Sequence, residues 1–190
     1  RESWRRKFDS DVMASAEPNA GHQAIQEWFE AGRHGGVITQ NVDDLHQRSG
    51  LAEDRVVELH GNATYARCLS CGARYELNEL REQFRSDGEV APCRTCGGLV
   101  KTATISFGQS MPESEMAKAQ QLVEACDLLI VLGSSLTVYP AAGFPQYAKQ
   151  RGASLAIVNR DATDQDHLAD LVIHESIGDV MSAAVAQLRR

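Results

Sequence analysis

The sequence has no long apolar run and no excess of positive charge. Among its 190 residues no apolar stretch approaches the ~18 residues of a membrane-spanning helix, and residues 1–7 lack the apolar core of a signal peptide. Lysine and arginine number 19 against 26 aspartates and glutamates, whereas sequence-independent binding to nucleic acid needs a concentrated cationic face. We therefore expect a cytoplasmic protein that binds neither a membrane nor nucleic acid directly.

A hydrophobic content of 43% is enough for one sizeable core with a small satellite. Residues 1–17 are charged without a clear period, and we assign no element to them. Beyond them, helical and strand patterns alternate. The predicted helices cover 19–31, 112–125, 140–150 and 178–188, and the predicted strands cover 37–39, 56–59, 102–107, 127–132, 153–158 and 171–173. This alternation predicts a doubly wound α/β sheet, with the apolar run 127–132 buried on both faces.

Four of the five cysteines form two C-x2-C pairs. Cys68 and Cys71 make the first pair, Cys93 and Cys96 the second, and each pair is followed by glycine. This spacing is close to that of a four-thiolate zinc site, and in a chain without a secretory signal it favours metal over disulfides or a redox pair. Four thiolates leave no open position, so we predict one structural zinc ion. Cys126 lies outside the set and is expected to be a small core residue.

Small and polar residues follow several predicted strands. Thr39-Gln40-Asn41-Val42-Asp43-Asp44-Leu45-His46 begins at the end of the first strand, and His60, Gly133-Ser134-Ser135 and Asn159 follow later ones. In open α/β sheets ligands bind at the carboxyl ends of the strands. Taken singly, these are ordinary turn and capping residues. Taken together, they favour a nucleotide site.

In order along the chain, these motifs resemble those of the sirtuins, the NAD-dependent protein deacylases. The matching segments are 39–46, Glu58-Leu59-His60-Gly61, the four cysteines, Phe107-Gly108, Gly133-Ser134-Ser135-Leu136 with Val138 and Pro140, and Val158-Asn159. The resemblance covers nearly the whole chain from Pro18 onward. It implies a Rossmann-like parallel-sheet domain, residues 1–61 and 99–190, with an inserted small zinc-ribbon domain, residues 62–98.

The resemblance also implies a reaction and a catalytic residue. The acyl-lysine carbonyl oxygen attacks C1′ of the nicotinamide ribose of NAD and nicotinamide leaves. His60 then acts as general base on a ribose hydroxyl, which attacks the resulting imidate carbon. An imidazole suits this role because its unperturbed pKa, about 6.5, lies near working pH.

By the same resemblance, other residues bind the cofactor and the acyl-lysine protein or peptide substrate. Gln40, Asn41 and Asp43 would line the nicotinamide-ribose pocket. Ser134 and Ser135, after Gly133, would face phosphate and ribose, and Asn159, followed by Arg160, would lie toward the adenosine. Substrate would lie along Ile105, Phe107, Gly108 and Val138 as an added strand.

The chain departs from the family pattern in three places. The glycine-rich segment that carries the first strand and pyrophosphate contacts is not found in the printed sequence, so we expect that sequence to be part of a longer chain. Gln109 replaces the usual acidic residue after Phe-Gly, and Lys101-Thr102 replaces Arg-Pro. A mono-ADP-ribosyltransferase and a non-catalytic NAD or ADP-ribose binding module stay open as alternatives.

Overall fold

A computed structural model describes residues 2–9, 15–106 and 108–189. These residues form two compact units. We call the first the cysteine unit; it contains the described residues of 1–17, 39–44 and 60–111. We call the second the sheet unit; it contains 18–38, 45–59 and the described residues of 112–190. None of the helices in the described ranges is both long and apolar enough to cross a membrane.

The helices and strands alternate along much of the chain. In chain order they are α1 (Glu2–Asp9), α2 (Ala20–Glu30), β1 (Val37–Thr39), α3 (Leu45–Arg48), β2 (Val56–Glu58), β3 (Gly61–Cys68), β4 (Arg74–Glu76), α4 (Leu77–Asp87), β5 (Val100–Thr104), α5 (Glu113–Ala125), β6 (Leu128–Leu132), α6 (Phe144–Gln150), β7 (Ser154–Val158), β8 (Leu171–Ile173) and α7 (Ile177–Leu188). The strands form three sheets, ordered β1-β2, β4-β3-β5 and β6-β7-β8. The prediction of an α/β fold with parallel strands is confirmed.

The sheet unit begins at a well-capped helix. The Asn19 side chain accepts hydrogen bonds from the backbone N–H groups of Gly21 and His22, at 2.9 and 3.2 Å. His22 completes a capping box, because its Nδ1 accepts from the Asn19 N–H at 3.4 Å. The His22 ring also contacts the His46 ring, with the two ring centroids 4.9 Å apart. Buried side chains of α2 and α7 then form one apolar cluster, Ala24, Met181 and Val185.

The parallel sheet of this unit has β7 at its centre. Leu128–Leu132 pairs with Ser154–Val158, and Ala156–Val158 pairs with Leu171–Ile173. Leu155 and Ile157 are fully buried, whereas Leu128 is 40% exposed and the rest of β6 is half-buried. The expectation that β6 is buried on both faces is therefore wrong for the described residues: β6 is an edge strand of this sheet, with β7 as its one neighbour.

The cysteine unit is built on an antiparallel sheet that the sequence did not reveal. Its central strand β3 pairs with β4 through Tyr65–Arg67 and with β5 from Gly61 to Cys68. The predicted strand 102–107 is shifted, since β5 runs from Val100 to Thr104. Two facts explain the shift. Cys68 pairs with Val100, which places Val100 in the strand. A turn follows the strand, in which the Gln109 N–H donates to the carbonyl oxygen of Ser106 at 2.9 Å.

The sequence predicts no element in residues 1–17, yet Glu2–Asp9 form α1, which packs in the cysteine unit. Trp4 and Phe8 contact its apolar cluster, and their rings stack with centroids 5.3 Å apart. The Phe8 ring also lies 5.5 Å from that of Phe84 on α4. The buried members of the cluster are Ala66, Cys68, Tyr75, Leu77, Leu80, Cys93 and Val100. This small core therefore includes two of the four metal-ligand candidates.

Gly61 joins β2 to β3 where two backbones nearly touch. Its φ is +71°, and a Cβ atom at this position would lie 1.9 Å from the carbonyl oxygen of Ala103 on β5. Real Cβ atoms never approach a backbone oxygen so closely, so the β3–β5 pairing at this point requires glycine.

We predict that Gly61→Ala destabilises the protein much more than Gly88→Ala. Gly88 caps α4 with the same φ, +71°, but has open space around its Cα. Gly88→Ala should cost about 1–2 kcal/mol of unfolding free energy, the left-handed penalty, whereas the added clash should cost Gly61→Ala about 3 kcal/mol or more. Denaturant unfolding of both variants measures the difference, and equal losses would contradict the clash.

Candidate active site and metal centre

His60 is held in place through both its backbone and its ring. Its carbonyl oxygen accepts a hydrogen bond from the Ile105 N–H at 2.9 Å. Its ring Nδ1 lies 2.9 Å from the carbonyl oxygen of Gln40. A carbonyl oxygen can only accept, so Nδ1 carries the hydrogen and, in the neutral ring, Nε2 has the free lone pair. The half-buried imidazole is thus set in the tautomer that a general base acting through Nε2 requires.

Residues 40–44 form a loop that lies beside the start of β3. The Asn41 N–H donates to Thr39 Oγ1 at 3.1 Å, and the Ala63 N–H donates to the Val42 carbonyl at 2.8 Å. The cofactor candidates Gln40, Asn41 and Asp43 all lie in this loop. The structure therefore brings them together with His60 within the cysteine unit.

Asn62 is a polar residue of this region that the sequence did not reveal as important. It is 1% exposed, and its Nδ2 donates to Asp44 Oδ1 at 3.0 Å. In the sequence, an asparagine after His60-Gly61 looks like any turn residue. Its burial depends on the pairing of β3 with β5, which local sequence patterns do not encode.

The substrate candidates are divided between the two units. Ile105 is half-buried next to His60, and Gly108, with a φ of +81°, lies in the turn after β5. Phe107 lies outside the described residues. Val138 belongs to the sheet unit and is 51% exposed.

The remaining cofactor candidates lie at the edge of the parallel sheet that is formed by the carboxyl ends of its strands. Leu132 pairs with Val158, and Val158 pairs with Ile173, so the residues after β6 and β7 emerge side by side. These residues are Gly133, Ser134 and Ser135 after β6, and Asn159 and Arg160 after β7. The Gly133 N–H donates to the Val158 carbonyl at 2.9 Å, which holds the two loops together. The sheet edge is thus the kind of position at which α/β proteins bind nucleotides.

Leu136 ends the first of these loops in an unusual conformation. Its φ is +55°, which is rare for a bulky side chain, yet the side chain is only 6% exposed. Its N–H donates to Ser134 Oγ at 3.2 Å, and Gln165 Nε2 donates to its carbonyl at 3.4 Å and to that of Ala142 at 2.7 Å. Core packing and these contacts hold the loop in its strained form.

The four cysteines of the two C-x2-C pairs converge on one point. Their sulfur atoms all lie within 4.8 Å of one another, with Cys68 and Cys96 3.5 Å apart and Cys71 and Cys93 3.6 Å apart. Tetrahedral zinc with Zn–S bonds of about 2.3 Å requires sulfur atoms roughly 3.8 Å apart. The donor set fits one structural zinc ion, and the prediction from spacing is confirmed.

Neighbouring groups stabilise negative charge on two of the sulfurs. The Tyr75 hydroxyl donates to Cys93 Sγ at 3.1 Å, and this bond in particular lowers the pKa of Cys93 to about 5. Backbone hydrogen bonds, with that of Cys71 the largest contribution, lower the pKa of Cys68. For Cys96 the backbone of Gly98 favours the thiolate, but the three other sulfurs and burial together raise its pKa to about 12. A divalent ion among the sulfurs would offset this mutual repulsion.

Together the fold and these sites define an α/β protein with a histidine-centred polar loop, a nucleotide-type sheet edge and a four-cysteine metal module. The Sir2 family model matches residues 1–140. An NAD-dependent protein deacetylase of Rhodopseudomonas palustris is 52% identical over 97% of this chain and 73% of its own length. Another, from Bradyrhizobium diazoefficiens, is 54% identical over 97% and 72%. A Sir2 structure bound to acetylated peptide superposes with a TM-score of 0.88 at 32% identity, covering 97% of this chain and 76% of that one.

The chain belongs to the Sir2 family, the sirtuins. The resemblance inferred from the motifs is thereby confirmed.

We predict that each protein chain holds about one zinc ion and that Cys93→Ser loses both the metal and the fold of the cysteine unit. Removal of one thiolate breaks a closed tetrahedral site whose binding energy contributes to folding. Elemental analysis and circular dichroism measure the two effects. Cys126→Ser is the matched control, because Cys126 belongs to the sheet unit and its Sγ donates to the Val123 carbonyl. A folded, metal-free Cys93→Ser protein would contradict the assignment.

We predict a smaller effect for Tyr75→Phe, which removes only the hydrogen bond to Cys93. Loss of such an outer contact typically weakens metal binding about 10- to 100-fold. Competition with a chromogenic chelator measures the affinity. Tyr139→Phe serves as control because Tyr139 is 71% exposed and belongs to the sheet unit. Unchanged zinc affinity in Tyr75→Phe would show that the contact does not tune the metal.

Proposed function

We propose that the protein is an NAD-dependent protein-lysine deacylase, which consumes NAD and releases nicotinamide and O-acyl-ADP-ribose. The observation that carries this proposal is the hydrogen bond between His60 Nδ1 and the Gln40 carbonyl, which leaves Nε2 as the proton acceptor. Family membership and the names of the curated relatives support the same reaction. The acyl-lysine of a protein or peptide is the second substrate.

In this proposal His60 is the general base. After nicotinamide has left, His60 Nε2 takes a proton from a hydroxyl of the ribose that had carried it, and the positive charge that then forms on the imidazole ring is stabilised by the Gln40 carbonyl at Nδ1. Because the backbone of His60 is also bonded to Ile105, the ring does not have to be ordered when substrate arrives. Preorganisation of this kind lowers the entropic cost of the proton transfer.

The other candidates have binding roles in the same proposal. Gln40, Asn41 and Asp43 form the nicotinamide-ribose side of the pocket, and Gly133, Ser134, Ser135, Asn159 and Arg160 bind the phosphates and adenosine. Ile105, Phe107, Gly108 and Val138 bind the substrate backbone. We likewise retain the division into an NAD-binding domain, 1–61 and 99–190, and a zinc-binding domain, 62–98.

The zinc ion has no role in the chemistry that we propose. The four cysteine thiolates would occupy all tetrahedral positions of the ion, whereas a Lewis acid needs an open one. None of the described cysteines is in a disulfide, which is typical of a reducing compartment. We propose the cytoplasm, and cell fractionation tests that location.

We predict that the full-length protein releases nicotinamide only when NAD and an acyl-lysine peptide are both present, and that His60→Ala lowers this rate by a factor of about 100 or more. The factor follows from the contribution of a general base, about 10²–10⁴. His34→Ala is the control, since His34 is an exposed histidine outside the proposed site. Chromatography of released nicotinamide gives the rates.

Three results would overturn parts of this proposal. Undiminished turnover in His60→Ala would remove the assigned base. Transfer of ADP-ribose to protein, detected by mass spectrometry after incubation with NAD, would favour a mono-ADP-ribosyltransferase. NAD binding without any turnover would favour a non-catalytic module.

A further inference from the structure

Three hydrogen bonds hold the buried side-chain amide of Asn62 in place. Its Nδ2 donates to Asp44 Oδ1 at 3.0 Å, and its Oδ1 accepts from the N–H and the hydroxyl of Thr64 at 2.8 and 2.7 Å. With 1% of its surface exposed, the side chain has almost no access to water. Loss of one partner would leave a buried polar group unsatisfied, which is costly.

The partner of Asn62 is held in a conformation that needs support. Asp44 has a φ of +65°, in the left-handed region, which aspartate tolerates better than most residues but still at a cost. The bond to Asn62 fixes this end of the 40–44 loop. The bond from the Ala63 N–H to the Val42 carbonyl fixes its middle.

We propose that Asn62 and Asp44 form a positioning pair for the deacylation reaction. Their hydrogen bond fixes the loop so that the Gln40 carbonyl meets His60 Nδ1 and so that Asn41 and Asp43 face the cofactor in a constant arrangement. Neither member of the pair touches the reacting atoms. The inference rests on the proposed function, because the loop has a role in catalysis only if His60 is the base.

The direction of the hydrogen bond makes the pair testable by exchange. Asn62→Asp places two carboxylates about 3 Å apart in a buried site, where like charges repel strongly. Adding Asp44→Asn reverses donor and acceptor, because the amide introduced at position 44 can donate to the carboxylate introduced at position 62. That carboxylate can still accept from Thr64. Asparagine also tolerates the left-handed conformation that position 44 requires.

We predict that Asn62→Asp lowers kcat/KM for NAD by about tenfold or more, since a buried bond is lost and a repulsion is added. The double variant should recover to within about threefold of wild type, and Asp44→Asn alone is measured to close the double-mutant cycle. Asn78→Asp, the same change at an exposed position of α4, should leave the kinetics unchanged. Rescue by the exchanged pair would show that the loss in Asn62→Asp comes from this one hydrogen bond.

Hydrogen exchange tests the pair without reference to activity. The Asn41 N–H donates to Thr39 at the start of the loop, and the Ala63 N–H donates to Val42 in the loop. Both N–H groups should therefore exchange faster in Asn62→Asp and regain protection in the double variant. If wild type shows no turnover, the proposed function fails while the exchange data still test the pair.

Normal kinetics and normal protection in Asn62→Asp would overturn the pair, and so would a double variant that regains stability but not kcat/KM. Should Asn62→Asp fail to fold, Asp44→Ala removes the acceptor without adding repulsion. We expect a loss in kcat/KM of about threefold or more for that variant, and an unchanged value would equally overturn the proposal.

Discussion

The close approach of two backbones at Gly61 determines the position of His60. Only a residue without a Cβ can lie against the Ala103 carbonyl at this φ. This contact fixes the point at which the chain leaves β2 and enters β3, with Gly61 opposite Thr104. His60 precedes this point and Asn62 follows it, so the ring and the buried amide both take their direction from one backbone constraint. The loop 40–44 is then bonded to each of them.

The cysteine unit has a small apolar core and relies on other contacts as well. Two of its buried core residues, Cys68 and Cys93, also belong to the four cysteines that are positioned to bind a metal ion. The side chain of Tyr75 joins the apolar cluster and the metal site, because its ring lies in the core while its hydroxyl bonds to Cys93 and accepts from the Arg94 N–H at 2.8 Å. Small cores of this kind commonly need a metal for stability. Metal binding and core packing in this unit therefore depend on the same residues.

Helices and strands could be predicted from the sequence where a local signal, such as a helix cap or an apolar run, determines their position. The cap at Asn19 locates the start of α2, and the apolar runs locate β6 and β7 within one or two residues. The metal site followed from the spacing of four cysteines, and the shared edge of Gly133 and Asn159 followed from the rule for parallel strands.

Features that depend on distant pairing could not be predicted. Residues 61–68 have no clean apolar alternation, so β3 was missed, and its pairing with Val100 moved β5 toward the amino terminus. Asn62 and Tyr75 gain their roles only through burial. The strand β6 has the apolar sequence of a buried strand, yet in the described sheet it lies at an edge.

Backbone strain occurs in both loops that carry the cofactor candidates. Among the described non-glycine residues, positive φ values occur at Asp44 and Leu136, one in each loop. Each is held by a buried amide, Asp44 by Asn62 and Leu136 by Gln165. If the loops served only to connect strands to helices, glycine would adopt the same φ without strain. Asp44 instead supplies a hydrogen-bond acceptor, and Leu136 fills the core. In both units a side chain therefore occupies a strained backbone position, and its contacts fix the polar residues that precede it in the loop.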